Sequence, residues 1–90
     1  MKKCIVTVVG KDTVGIIAKV CTYLADHKIN ILDISQTIVQ EYFNMMMIVD
    51  GSGANVSFDE MSSGLDEIGA GIGVNIKCQR EEIFTKMHRI

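Results

Sequence analysis

The apolar residues of this chain keep switching period, from two to 3.6 and back, and that rhythm constrains its fold more than any other feature. Lys3-Cys-Ile-Val-Thr-Val-Val9 is almost wholly apolar and rich in β-branched residues, the pattern of a central strand covered on both faces. From Ile16 the period becomes helical: Ile16, Ile17, Val20, Cys21 and Leu24 share a face, and the pattern fades at His27 or Lys28. Asp12 or Thr13 is placed to cap its first turn. Asn30–Val39 alternates again, with Leu32, Ile34 and Ile38 on one side and Asp33, Ser35 and Thr37 on the other. Gln40-Glu41 reads as a tight turn. Tyr42–Val49 is a third strand, with Phe43, Met45, Met47 and Val49 directed inward and Met46 outward. Ser57 and Glu60 have capping-box spacing ahead of a second helical stripe, Met61, Leu65 and Ile68. Gly69, Gly71 and Gly73 end that helix and lead to a fourth strand, Val74–Gln79.

The order βαββαβ specifies an α+β, ferredoxin-like sandwich: one antiparallel sheet with two helices on one face. Residues 81–90 predict a further short helix, with Ile83, Phe84, Met87 and Ile90 as its apolar stripe. With 90 residues, the whole is read as a single domain, its core at about 3–79. The second sheet face, with Ile5, Thr7, Val9, Asp33, Ser35, Thr37, Met46 and Ile48, has no helix assigned to it. It needs a cover, from the final helix or a second subunit.

Charge and cysteine content exclude several classes. Nine Lys and Arg against eleven Asp and Glu leave a net charge of −2, unlike the basic excess of nucleic-acid binders, so no direct nucleic-acid contact is expected. No apolar run approaches a membrane span. The run after Met1-Lys2-Lys3 is too short for a signal peptide, and no small-residue cleavage site follows, so the expected location is the cytoplasm. Three scattered cysteines, Cys4, Cys21 and Cys78, suggest neither a disulfide framework nor a metal site, and no cofactor is implied.

Within this fold the first strand-to-helix loop, Gly10-Lys-Asp-Thr-Val-Gly15, is the informative segment, because helix N-terminal N–H groups converge there and attract anions. It holds no Cys-x-x-Cys pair for a soft metal and no arginine to grip an acyl phosphate. Gly10 and Gly15 have P-loop spacing, but Ile16-Ile17 follow where Lys-Ser/Thr would be required. The first strand carries no aromatic for base stacking. Nor does any spacing single out a nucleophile with its base, so the chain is read as a non-enzyme. His27 and His88 sit near predicted helix ends, where a surface role fits.

Three segments carry a family likeness: Val9-Gly10-Lys11-Asp12-x-x-Gly15-Ile16, Asn30-Ile-Leu-Asp33-Ile34, and Glu41-Tyr42-Phe43-x-Met45. Together they resemble the ACT domain family, and within it the small stand-alone bacterial proteins related to the glycine cleavage regulator. The resemblance implies a regulatory domain that binds an amino acid or related metabolite between two subunits of a homodimer and signals to a protein partner. It further implies a site near the first loop and the start of the second strand. Carried over, that site is Lys11, Asp12, Thr13, Val14, Gly15 and Ile16 with Asn30 and Asp33. Backbone N–H groups of residues 13 to 16 would meet a carboxylate, Asn30 would hydrogen-bond the ligand, and Asp12 or Asp33 would hold an ammonium. The alternative is a ligand-free interaction module. In that reading Asp12 or Thr13 is only a cap, Gly15 serves close packing, Asn30 ends the first helix in a left-handed conformation, and Asp33 is solvated.

Overall fold

A computed structural model describes residues 2–11 and 14–81. Asp12, Thr13 and the expected final helix lie outside the described residues. The elements are β1 (Lys3–Lys11), α1 (Ile16–Asp26), β2 (Asn30–Val39), β3 (Tyr42–Asp50), α2 (Phe58–Ile72) and β4 (Val74–Arg80). The four strands form one antiparallel sheet in the order β2-β3-β1-β4. This is the ferredoxin-like sandwich that the pattern predicts.

The core lies between the sheet and the two helices. Cys4, Val6 and Val8 of β1, Phe43, Met45, Met47 and Val49 of β3, and Val74 and Ile76 of β4 all point into it. They meet Ile16, Val20 and Leu24 of α1 and Met61 and Leu65 of α2. Of the three consecutive methionines, Met45 and Met47 are core and Met46 faces out, as strand alternation requires.

Several boundaries differ from the expected ones. Strand β1 continues through Gly10 and Lys11, which pair with Phe43 and Tyr42. A Cβ at Gly10 would stand 2.8 Å from Val74 Cγ1, so β1 and β4 approach here only because the side chain is missing. Helix α2 runs through Gly69 and Gly71 and closes at Gly73. Helix α1 ends at Asp26, and Lys28 takes the left-handed conformation. Asn30 is not a helix terminator but the first residue of β2, paired with Asp50. Gln40 supplies the left-handed residue of the β2–β3 turn.

Strand β2 also carries a bulge between Ile31 and Asp33. Ile31 therefore pairs with Val49, and Ile34, Gln36 and Ile38 pair with Met47, Met45 and Phe43. Those partners face the helices, so these β2 residues do too. Leu32 is the extra residue and does not keep step with Ile34 and Ile38. Asp33, Ser35 and Thr37 fall on the opposite face, as expected.

Candidate functional site

Helix α1 begins without a side-chain cap among the described residues. Its N-cap is Gly15, with φ 91° and ψ 1°. A Cβ there would meet nothing within 4 Å, so close packing is not the reason for glycine. The positive φ is the reason, since other residues adopt it only at a cost. Lys19 N–H donates to Gly15 O at 2.9 Å and closes the first turn. The first N–H groups of the helix have no such partner within it, and they carry its partial positive charge. Val14 beside them is almost fully exposed, Gly15 is half-buried, and Ile16 is buried in the core. Lys11 lies 4.0 Å from Glu41 of the β2–β3 turn, with both side chains mostly in solvent.

Lys11, Val14, Gly15 and Ile16 thus gather at one end of the sheet, together with the turn that joins Val39 to Tyr42. Asn30 and Asp33 do not join them. Asn30 pairs with Asp50, which in turn pairs with Lys3, at the far end of β1. Eight residue steps separate Lys3 from Lys11, roughly 26 Å of strand. Asp33 lies level with Ile5, still about 20 Å from Lys11. Its carboxylate accepts the N–H of Ile34 at 2.9 Å, and both it and Asn30 are exposed.

Strand β2 is the unusual element. It is an edge strand of ten residues, and only Ile31 is even half-buried. Ile34 is 44% exposed, while its partner Met47 is fully buried on the same face. The two helices explain this. Tyr23 Oη donates to Glu60 O at 3.3 Å and turns one flank of α1 toward α2. Helical spacing then turns Ile17 and Cys21 toward β2. Beyond them an aliphatic shelf stays open on the helix side of β2, carrying Ile34 and Ile38. Sequence alternation marks these residues as apolar, but nothing in it marks them as uncovered.

A small polar cluster at the Asn30 end was not singled out from the sequence. His27 Nδ1–H donates to Asn55 Oδ1 at 2.9 Å, the His27 ring lies 4.4 Å from that of Tyr23, and Asn55 N–H donates to His27 O. These contacts fasten the β3–α2 loop to the end of α1. Two of the thiols are not poised for chemistry: burial raises the Cys4 pKa and pushes Cys78 up to about 12. Among the described residues no group of His, Cys, Asp or Glu could hold a metal ion, and no helix is long and apolar enough to cross a membrane.

The fold defines a class, a ferredoxin-like sandwich whose first helix starts at a left-handed glycine beside an exposed Val14. Comparison with known proteins narrows it. The ACT domain profile matches residues 2–79, and the chain belongs to the ACT domain family. A UPF0237 protein of Bifidobacterium longum is 66% identical over 90 residues, covering the full length of both chains. The ACT domain protein from Streptococcus pneumoniae is 41% identical and superimposes with a TM-score of 0.80, over 92% of this chain and 93% of that one. The regulatory subunit of aspartate kinase from Thermus thermophilus, in a ligand-free form, has a TM-score of 0.67 at 24% identity, over 87% of this chain and 50% of that one. At that identity the likeness is one of fold. ACT domains are typically regulatory modules that bind small molecules, and this is not an enzyme family.

Proposed function

We propose that this protein is a regulatory sensor that binds an amino acid or related metabolite at a homodimer interface in the cytoplasm and passes its state to a protein partner. The observation that carries the reading is the start of α1 at Gly15, in the left-handed conformation and with no side-chain cap among the described residues. Its N–H groups suit a carboxylate, and the missing Cβ lets a ligand approach the backbone. Asp12 and Thr13 complete this loop in the reading, although they lie outside the described residues.

The separation of Asn30 and Asp33 from the loop supports a dimer. Two β2 edges related by a two-fold axis run antiparallel. That arrangement carries Asn30 of a second copy toward the Val39 end of the first, the end where Gly15 lies. The β2 edge suits such pairing: within Asn30–Val39 its one charge is Asp33, and it contains no proline or lysine to deter another strand. The aliphatic shelf at Ile34 and Ile38 would be buried in the same contact.

Calorimetric titration with the twenty amino acids, alongside melting curves, tests the reading. Saturable binding of at least one, with a raised melting temperature, is expected; no binding and no shift would overturn the amino-acid ligand. Gly15→Val and Asn30→Ala should each abolish binding while the chain stays folded. Mixing the two variants should restore about a quarter of the sites if each site draws on both subunits. Stable capture of a protein partner without any metabolite would favour the ligand-free interaction module instead.

A further inference from the structure

Strand β2 pairs with β3 on one side, and among the described residues no strand lies on its other side. Its regular stretch, residues 33–39, is bounded at both ends. The bulge between Ile31 and Asp33 precedes it, and the two-residue turn to Tyr42 follows it. A turn of that length closes on a pair that exchanges both backbone hydrogen bonds, here Val39 and Tyr42. Bonding alternates along an antiparallel strand. Thr37, Ser35 and Asp33 therefore also direct their N–H and C=O groups to β3, while Ile34, Gln36 and Ile38 turn theirs to the open edge. The side chains of these last three lie on the helix side of the sheet, and all three are exposed.

We propose that β2 pairs with β2 of a second copy in one register, with Gln36 opposite Gln36 on the two-fold axis. The register deepens the homodimer proposed above and rests on it. Gln36 is the middle residue of 33–39, so this is the register that pairs the whole regular stretch with itself. On the helix side, Ile34 faces Ile38 of the second copy, and the two Gln36 amides meet across the axis, where each can donate to the other. On the outer side, Ser35 faces Thr37 of the second copy and Asp33 faces Val39. Aliphatic and hydroxyl pairs of this kind stabilise neighbouring strands, and no like charges are opposed. Bonds exchanged at residues 34, 36 and 38 satisfy the backbone groups that the edge leaves open. Moving the axis to Ser35 sets Ile34 against Gln36 and Ile38 against the bulge residue Leu32. Moving it to Thr37 sets Ile38 against Gln36 and Ile34 against the turn residue Gln40. An axis at Asp33 opposes two carboxylates.

Isotope-filtered nuclear Overhauser spectra of mixed labelled and unlabelled chains test the register without a variant. Ser35 and Thr37 of opposite chains would form a non-hydrogen-bonded pair, with Cα atoms about 4.5 Å apart, against roughly 6.7 Å within one strand. A strong contact between their Hα atoms, seen between chains, is expected. Opposed charges supply a second test. Ile34→Lys and Ile38→Glu should each weaken the dimer at least about tenfold in sedimentation. Both substitutions in one chain should bring it back to within about threefold of the parent, because each new cation then faces a new anion of the other copy. A chain that stays monomeric at the concentrations of the spectra would overturn both the pairing and the homodimer. A dimer that lacks the Ser35–Thr37 contact, or that the double substitution fails to restore, would overturn the register alone.

Discussion

The two βαβ halves of this sheet share a plan and differ in how they are finished. The half built from β3, α2 and β4 is closed. Ser57 Oγ accepts the Glu60 N–H at 3.1 Å, Glu60 Oε1 accepts the Ser57 N–H at 3.0 Å, and Val74 and Ile76 are buried beneath α2. The half built from β1, α1 and β2 is open. Its helix starts at a bare glycine, and its outer strand lies in solvent on both faces. Among the described residues one helix start is closed by a capping box and the other has no side-chain cap. The difference locates stability in the second half and accessible surface in the first.

The sharpest way to break this comparison uses two residues that are cross-strand partners on one face. Met47→Ala should cost about 2–5 kcal/mol, because a fully buried side chain leaves a cavity. Ile34→Ala, directly opposite, should cost under about 1 kcal/mol in the monomer. Urea unfolding at low protein concentration measures both. Equal losses would mean that β2 is not open in solution. At concentrations where a dimer forms, Ile34→Ala should lose more, and the excess reports what the interface buries.

The helix starts come next in size. Ser57→Ala removes the hydroxyl arm of the capping box, leaving the Glu60 arm to the backbone N–H, and should cost about 1 kcal/mol. Gly15→Ala should cost about 1 kcal/mol, all of it conformational, since the new Cβ meets nothing within 4 Å. Chemical denaturation resolves both. A much larger loss at Gly15 would mean that its neighbourhood is packed and closed.

How legible this was depends on the kind of signal. Elements and their order were readable, because apolar period reports local geometry directly. The capping box was readable for the same reason, with both partners three residues apart. Three features were not. The bulge at Leu32 breaks no compositional rule, because Ile31 and Leu32 are both apolar and alternation does not say which of them keeps the register. The exposure of Ile34 and Ile38 depends on where two helices sit above the sheet, which alternation within β2 does not record. The placing of Asn30 and Asp33 far from Gly15 follows from α1 spanning the sheet lengthwise, a tertiary fact. The motif placed these residues in one site, and one chain alone holds them apart.

Cys78 of β4 sharpens the comparison from the closed side. Burial first, and then the neighbouring Cys4, raise Cys78 from 9.0 to about 12, and burial raises Cys4 in the same direction. An acid whose pKa is higher in the folded state favours folding below its unfolded value. The stabilisation is lost as pH rises through the folded one. Stability should therefore decline between about pH 9 and 12 as the unfolded chain gains thiolate that the core refuses. At pH 8 alkylation of Cys78 in the native protein should be at least about a hundredfold slower than in urea. Mass-spectrometric footprinting reads the site, and rapid native labelling would show α2 opening away from β4.

The smallest effect falls on the open side, at the pair Lys11–Glu41. Both groups are mostly solvated and 4.0 Å apart, so Glu41→Gln should shift stability by less than about 0.5 kcal/mol. Its value lies in binding. If the first loop receives a carboxylate, removing the Glu41 charge lowers the negative potential beside it. Anionic ligand should then bind roughly two- to threefold more tightly at low salt. At high salt the gain should disappear, because exposed charges a few ångströms from the ligand are screened over such distances. Lys11→Gln should move affinity the opposite way under the same conditions. Affinity indifferent to both substitutions at low salt would remove Lys11 from the site and leave the backbone at Gly15 as its anion-binding part.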